Sequence, residues 1–201
     1  MTEYQHIFEG VKKGARKLTG LSNEKVNQVL HNLAILAVEN ADFLLVENQK
    51  DLDLMGQDNP MYDRLLLTEE RIQNIAGEII QVSALPSPLH HVLESKTLEN
   101  GLSLEKVTVP LGVIGIIYEA RPNVTFDVFT LALKSGNGLA MKGGSDADHS
   151  NRAIMSLIHQ VLENNDLPTT AFQLLPEDRA ATKALLEAVG YVDVIIPRGS
   201  K

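Results

Sequence analysis

The sequence predicts an α/β fold: a Rossmann-like parallel sheet flanked by helices, with N-terminal helices and a β-hairpin before it. Apolar residues recur at helical spacing up to residue 84, and polar and apolar residues alternate around Asn100-Gly101. After residue 110, short apolar segments alternate with amphipathic ones, which is typical of a parallel sheet with right-handed crossovers. We therefore divide the chain into residues 1–93, 94–109 and 110–201.

The composition is that of an ordinary globular protein. Of the 201 residues, 44% are hydrophobic and 22% are charged, and the formal net charge is −8. This acidic balance argues against a non-specific nucleic-acid binder, and the apolar runs are too short to span a bilayer. Without cysteine, the chain has no disulfide, thiolate metal site or thiol nucleophile. No signal peptide is visible, so we expect a cytoplasmic protein, and His90-His91 lacks a third ligand, so we predict no metal.

Residues 4–84 are predicted to be helical. One apolar stripe contains Val26, Val29, Leu30, Leu33 and Ala37, and a second contains Ile72, Ile75, Ala76 and Ile79. Thr68 is predicted to be the N-cap of the second helix, because two glutamates follow it in the first turn. Gly and Pro interrupt the helical pattern at 56–60 and 85–88. We interpret both stripes as packing surfaces.

Residues 96–99 and 102–107 are predicted to form a β-hairpin around Asn100-Gly101. Asn-Gly suits a type I′ turn, because both central residues of that turn need positive φ. A two-stranded ribbon is only marginally stable by itself. Since exposed strand edges invite pairing, we expect the hairpin to contribute to a homo-oligomer.

The last part of the chain is predicted to contain four strands and three helices in alternation. The strands cover 111–117, 139–142, 172–175 and 192–196, and the helices cover 124–134, 148–163 and 178–189. This is the layout of a nucleotide-binding domain, although the usual glycine fingerprint is missing. Gly136 and Gly138 would be its first two glycines, but Met141 takes the third position and a strand follows.

Polar residues after these strands are the candidate site residues, because ligands bind beyond the carboxyl ends of parallel strands. The first strand leads into Glu119, Arg121 and Asn123, the second into Lys-Gly-Gly-Ser at 142–145, and the fourth into Pro-Arg-Gly-Ser-Lys at 197–201. Small residues beside a cation leave backbone N–H groups accessible to a phosphate or a ribose. Two simpler readings remain open: the glycine segments are tight turns, and Arg121 pairs with Glu119.

Several segments carry a resemblance to a known family. They are Asn-Gln-Lys-Asp-Leu at 48–52, Asp-Arg-Leu-Leu-Leu-Thr at 63–68, 109–124 with its Tyr-Glu-Ala-Arg-Pro-Asn-Val-Thr, Lys-Ser-Gly-Asn at 134–137, His-Ser-Asn-Arg at 149–152, and 191–201. With these motifs the whole chain resembles the N-terminal half of gamma-glutamyl phosphate reductase (glutamate-5-semialdehyde dehydrogenase), a branch of the aldehyde dehydrogenase superfamily. The resemblance implies an aldehyde dehydrogenase-like fold.

The resemblance also implies a reaction. Members of the family reduce L-glutamyl 5-phosphate with NADPH to L-glutamate 5-semialdehyde and phosphate in proline synthesis. A cysteine displaces phosphate to form a thioester, which hydride from the nicotinamide then reduces. In this family the cysteine and the catalytic domain lie beyond the Pro-Arg-Gly-Ser turn, so we expect this chain to be a fragment that is inactive alone.

Roles for individual residues follow from the same resemblance. Asn123 resembles the asparagine that stabilises the oxyanion, and Arg121 is a candidate contact for the acyl phosphate. Lys142 matches the lysine that binds the adenosine ribose, and Ser145 replaces a glutamate of NAD-preferring relatives, which favours NADP(H). The remaining cofactor-binding candidates are Gly144, Gly199 and Ser200, of which the last two match a turn facing the pyrophosphate.

The resemblance completes the division into domains. Residues 1–93 and 110–201 would form the NADP-binding domain, truncated at its end, and 94–109 would serve oligomerisation. The expected partners are L-glutamyl 5-phosphate, further copies of the chain and glutamate 5-kinase, with no nucleic acid and no membrane. Two alternatives remain: a non-catalytic nucleotide-binding or interaction module, and a coenzyme A-acylating relative. The Glu-Ala-Arg-Pro-Asn turn favours the reductase over the latter.

Overall fold

Eight α-helices and six β-strands make up residues 4–198, which are the residues that the computed structural model describes. The helices are α1 (Gln5–Leu18), α2 (Asn23–Glu39), α3 (Ala41–Leu54), α4 (Tyr62–Leu65), α5 (Glu69–Ala84), α6 (Pro122–Lys134), α7 (Asp148–Glu163) and α8 (Arg179–Leu186). The strands are β1 (Val92–Thr97), β2 (Ser103–Val107), β3 (Val113–Tyr118), β4 (Gly138–Lys142), β5 (Phe172–Leu174) and β6 (Val194–Arg198). Short 3-10 turns at Ser145–Ala147 and Thr169–Ala171 lead into α7 and β5.

Four parallel strands form the central sheet in the order β5-β4-β3-β6. Ile114 pairs with Leu139 on one side and with Val194 on the other, and all five residues of β4 are buried. A strand that is buried throughout and apolar up to its last residue, Lys142, suits a sheet that is covered on both faces. The predicted fold class is confirmed.

Helices cover both faces of this sheet. Apolar side chains of α6 and α7 pack on the face that carries Ile116 and Met141, with α2 and α5 behind them. Residues of α1 and α8 pack on the opposite face, against Ala140 and Ile117. Successive residues of a strand point to opposite faces, so one strand contributes to both layers. The apolar stripes predicted in α2 and α5 are buried as expected.

Local chemistry moves some predicted boundaries. The first sheet strand begins at Val113 rather than at 111, because Gly112 has φ +119° and its N–H donates to Asn137 Oδ1 at 2.9 Å. The helix predicted at 178–189 ends at Leu186, and Gly190 turns the chain with φ +82°. The last strand accordingly runs from Val194 to Arg198 instead of 192–196. Thr68 is confirmed as the N-cap of α5, since its Oγ1 accepts from Arg71 N at 3.1 Å.

The hairpin of β1 and β2 is present, but its predicted turn type is wrong. Only Gly101 has positive φ (+85°), whereas a type I′ turn needs positive φ at Asn100 as well. Gly101 N donates to Leu98 O at 2.9 Å and Leu98 N donates to Leu102 O at 2.9 Å. These bonds define a three-residue loop, a type I turn followed by a left-handed glycine. One extra loop residue shifts the strand register, and every residue of both strands is exposed.

Buried Lys134 ties together the carboxyl ends of two helices. Its Nζ donates to Ser83 O at 2.9 Å, Asn23 Oδ1 at 2.9 Å and Asn27 Oδ1 at 2.6 Å, and burial lowers its pKa. Because Ser83 ends α5 and Lys134 ends α6, the two helices finish side by side. Their first turns also lie together, on either side of a cleft, so α5 and α6 run in the same direction.

Within residues 4–198, two kinds of feature are absent: a single helix that could cross a membrane and a cluster of metal ligands. No single helix is long and apolar enough to cross a membrane, although α2 and α3 together, with a 69° bend between them, meet the length and composition test. In the same span, no group of three or more His, Asp or Glu is arranged to hold a metal ion.

Candidate active site at the carboxyl edge of the sheet

The strand order places a crevice beside β3. From β3 the chain moves outward through β4 to β5, and it then returns to add β6 on the other side of β3. Ligands of open α/β sheets bind at the carboxyl edge where the strand order reverses in this way. The segment from Glu119 to Asn123 follows β3 directly at this point, as the sequence predicted for a site.

Arg121 and Asn123 lie at the amino end of α6. Arg121 is the N-cap residue, and its side chain makes no capping hydrogen bond. Pro122 occupies the first turn, where its missing N–H costs nothing. A helix N-terminus carries partial positive charge and unpaired N–H groups, so this end of α6 is suited to an anion. Both Arg121 and Asn123 are half-buried.

These two residues line a cleft of about 310 Å³ between α6, α5 and the segment before α5. The other lining residues are Asp63, Arg64, Leu66, Leu67, Arg71, Asn74, Ile75, Glu78 and Pro122. The sequence predicted only an apolar packing stripe for α5, so the polar residues of α5 that line the cleft were not predicted. The polar positions 71, 74 and 78 have helical spacing, which was the available signal.

The guanidinium of Arg71 is fixed before any ligand arrives. Nη1 donates to the backbone oxygens of Asp63 and Leu66, the latter at 2.7 Å, and Nη2 donates to Asp63 Oδ1 at 2.7 Å. Arg64 is exposed, and its Nη1 lies 3.5 Å from Met61 Sδ. Three arginines therefore line the cleft, one of them held by several acceptors.

Two carboxylates lie further along α5 and α6. Glu78 lines the cleft from α5, and Asp127 lies one turn beyond Asn123 on α6, outside the lining. Burial raises the pKa of Asp127, the negative charge of Glu78 raises it further, and Arg198 opposes both effects. Asp127 is half-buried and Glu78 is exposed.

Lys142 ends β4 on the opposite side of β3 from β6, and it does not line the cleft. Only 5% of it is exposed, and its Nζ donates to Gly143 O at 2.8 Å. Burial lowers the pKa of Lys142, and the negative charges of Asp178, Glu177 and Asp148 partly oppose that effect. The exposed hydroxyl of Ser145 lies 3.5 Å from Asp146 Oδ1.

The turn after β3 and the turn after β4 pack against each other at Gly143 and Gly144. A Cβ on Gly144 would lie 3.0 Å from Ala120 N, in the turn after β3. A Cβ on Gly143 would lie 2.5 Å from Asn151 Nδ2 and 3.3 Å from the Tyr118 hydroxyl. Close packing therefore gives a structural reason for both glycines, beside the predicted access of a phosphate to Gly144.

A buried hydrogen-bonded chain supports this junction. Thr125 Oγ1 lies 2.7 Å from the Tyr118 hydroxyl and donates to Asn151 Oδ1 at 2.7 Å. Burial raises the pKa of Tyr118 to about 12, so its hydroxyl stays protonated at neutral pH. The chain joins β3, α6 and α7 at the carboxyl edge of the sheet.

Other residues of the motifs that carried the resemblance also hold the edge in place. Asp51 of α3 accepts from His149 N at 3.1 Å, Ser150 N at 2.8 Å and Ser150 Oγ at 2.6 Å, so it caps the start of α7 from another helix. Asn48 Nδ2 donates to Ser150 Oγ at 3.0 Å and to Leu65 O at 2.9 Å. These motif residues position the loop after Lys142 and the segment before α5.

Two predicted cofactor contacts, Gly199 and Ser200, lie outside the described residues. The last described residue, Arg198, pairs with Tyr118 across β6 and β3.

The fold is aldehyde dehydrogenase-like. A solved structure of a glyceraldehyde-3-phosphate dehydrogenase from Methanocaldococcus jannaschii, complexed with NADP, has a TM-score of 0.74 over 96% of this chain and 40% of its own. Its identity to this chain is 16%, a level at which the likeness shows the fold alone. No protein-family model matches the chain.

Proteins with higher sequence identity to this chain are gamma-glutamyl phosphate reductases. The enzyme from Bacteroides fragilis is 55% identical over 193 residues, which are 96% of this chain and 46% of that protein. The crystal structure of the Thermotoga maritima enzyme has a TM-score of 0.94 at 33% identity, over 98% of this chain and 49% of its own. The chain is a homologue of gamma-glutamyl phosphate reductases and spans about half the length of the curated relatives it matches. The family resemblance predicted from the sequence is confirmed.

Proposed function

We propose that this chain is the NADP(H)-binding part of an enzyme that reduces L-glutamyl 5-phosphate to L-glutamate 5-semialdehyde and phosphate in proline biosynthesis. The observation that carries the proposal is the 55% identity to the Bacteroides fragilis gamma-glutamyl phosphate reductase over 96% of the chain. Since the chain spans 46% of that protein, the activity is proposed for the whole enzyme and not for these residues alone.

Arg121 and Asn123 are proposed to hold the reacting end of the substrate. A guanidinium donates two parallel hydrogen bonds to phosphate oxygens, which suits Arg121 to the acyl phosphate. The Asn123 amide would donate to the oxyanion that forms when the acyl carbon becomes tetrahedral. The N-terminus of α6 adds partial positive charge at the same place.

The surroundings of Lys142 fit the ribose of a nicotinamide cofactor. An ammonium group has three N–H donors, and the hydrogen bond found for Lys142 uses one of them, with Gly143 O. As far as residues 4–198 show, two donors are left for ribose hydroxyls or a 2′-phosphate, and Ser145 offers a hydroxyl where a carboxylate would repel that phosphate. The bound cofactor would supply the hydride that reduces the acyl group. None of the 201 residues is cysteine, so the thiolate that forms the thioester would come from outside this chain.

The proposal is tested in a chimera in which residues 1–201 replace the matching segment of the Bacteroides fragilis enzyme. Acyl phosphates hydrolyse readily, so the reverse reaction is assayed: the semialdehyde, phosphate and NADP⁺ should give L-glutamyl 5-phosphate, NADPH and a proton. Arg121→Lys should raise the KM for phosphate, whereas Arg16→Lys on α1, away from the cleft, should not. A folded chimera that forms no NADPH would contradict the function, and an unchanged KM in Arg121→Lys would contradict the role of that residue.

The hairpin is proposed to join copies of the chain. Its residues are exposed on both strands, and they include apolar Leu102 and Leu104, which are 53% and 48% exposed. Exposed strand edges with apolar side chains favour pairing with a second hairpin. Leu104→Lys should therefore shift the protein to a smaller species in sedimentation, and an unchanged sedimentation coefficient would contradict this assembly.

A further inference from the structure

The cleft at Arg121 has positive charge at one end and negative charge further along. Arg71 and Arg121 lie at the first turns of α5 and α6, and Glu78 and Asp127 follow them by seven and six residues. At 1.5 Å per residue, these intervals correspond to about 10 Å along two helices that run in the same direction. A ligand lying along the cleft therefore meets Arg121, and Arg71 paired with Asp63, at one end. Further along it meets Glu78, whose charge acts on Asp127 outside the lining.

At the carboxylate end, the charges of residues 4–198 compensate Glu78 and Asp127 only in part. Glu78 and Asp127 repel each other, which helps to raise the pKa of Asp127. Arg198 is the cation that favours ionised Asp127, and it stands against two carboxylates. A second cation between Glu78 and Asp127 would stabilise both in their charged form.

We propose that Glu78, with Asp127, binds the α-ammonium group of the amino-acid substrate while its acyl phosphate lies at Arg121. This inference rests on the proposed function and adds to it the residues that select an amino acid over a plain carboxylic acid. From the phosphorus to the α-nitrogen the substrate has six bonds, an extended length of about 7–8 Å. That length fits between the two charged ends, and the cleft volume of about 310 Å³ suits a ligand of this size.

The test compares two aldehydes in the chimera described above. L-Glutamate 5-semialdehyde carries the α-ammonium group, and glutarate semialdehyde is the same chain without it. Glu78→Gln should lower kcat/KM for the amino substrate about tenfold or more, because a hydrogen bond between charged groups is lost. The same variant should leave kcat/KM for glutarate semialdehyde unchanged. Asp127→Asn should act in the same direction. The control is Glu70→Gln, on an exposed residue of α5 outside the cleft, which should change kcat/KM for neither substrate.

The outcomes separate the two proposals. If Glu78→Gln and Asp127→Asn lower kcat/KM equally for both substrates, or for neither, the ammonium site is overturned while the reductase function stands. If the unmutated chimera folds but oxidises neither aldehyde, the proposed function fails and takes this inference with it. A loss confined to the amino substrate supports the site, since a merely structural role would not depend on one substituent of the substrate.

Discussion

Removal of the Asp51 carboxylate should destabilise the protein more than any exposed charge of the same helix. Asp51 is 2% exposed and accepts three hydrogen bonds, two of them from the first backbone N–H groups of α7. In Asp51→Ala these donors lose the acceptor that the folded protein provides. Loss of a helix cap costs about 0.5–2 kcal/mol, and bonds to a charged group contribute about 1.5–3 kcal/mol each before the burial cost of the carboxylate is subtracted.

We expect the free energy of unfolding to fall by about 2–4 kcal/mol in Asp51→Ala, after allowance for that burial cost. For a chain of this length each kcal/mol lowers Tm by roughly 2–4 °C, so the loss corresponds to about 4–16 °C. Urea unfolding followed by circular dichroism gives the free energy, and a thermal scan gives Tm. The control is Asp53→Ala, since Asp53 is exposed and accepts from Gln49 Nε2 at 2.7 Å; it should cost less than about 0.5 kcal/mol.

A loss below about 0.5 kcal/mol in Asp51→Ala would refute the cap, because that is the size of an ordinary surface substitution. A double-mutant cycle with Ser150→Ala gives a second check. The hydroxyl of Ser150 donates to Asp51 Oδ2 at 2.6 Å, so the two losses should not add. Additive losses would show that the two side chains act independently, contrary to the structure.

Three further outcomes are expected. Gly143→Ala should cost about 1–3 kcal/mol, because its Cβ would lie 2.5 Å from Asn151 Nδ2; a denaturation midpoint equal to the unmutated one would contradict this packing. Ser145→Glu in the chimera should raise KM for NADP⁺ and lower it for NAD⁺, through repulsion of the 2′-phosphate, and an unchanged ratio of the two KM values would argue against the ribose position. The pKa of Asp127 is raised in the folded state. The folded protein therefore loses stability as the pH rises from the pKa of Asp127 in the unfolded chain through its pKa in the folded protein. Asp127→Asn should therefore raise Tm at neutral pH and give no gain below about pH 3.9, and a gain that persists in acid would contradict it.

The alternation of strands and helices was predictable from the sequence because it depends on local periodicity. Buried parallel strands such as β4 are apolar up to their last residue, here Lys142, and the helices between them carry one apolar stripe. The position of β6 beside β3 depends instead on contacts between distant residues, which periodicity does not record. The hairpin shows the same limit on a smaller scale, since Asn100-Gly101 is compatible with two turn types and the strand register decides between them.

The candidate site was predictable on one wall only. Arg121 and Asn123 follow an apolar strand, and the general rule for parallel sheets was enough to single them out. Arg71 and Glu78 share a helix whose apolar stripe explains its packing, so their polar positions looked like an ordinary solvent-facing surface. The parallel arrangement of α5 and α6, held by Lys134 at the far end, brings both side chains into the cleft beside α6.

Asp51 and Asp127 illustrate two different reasons for an acidic residue at this edge of the sheet. The carboxylate of Asp51 meets donors that need it, so its removal should weaken the fold. The carboxylate of Asp127 is opposed by burial and by Glu78, so its neutralisation should strengthen the fold. Residues that lower stability persist where function needs them, and active sites are where such charges are found. A variant of Asp127 that gains stability and loses discrimination for the α-ammonium group would join both effects in one residue. A variant that gains stability with unchanged discrimination would leave the charge without a role in binding.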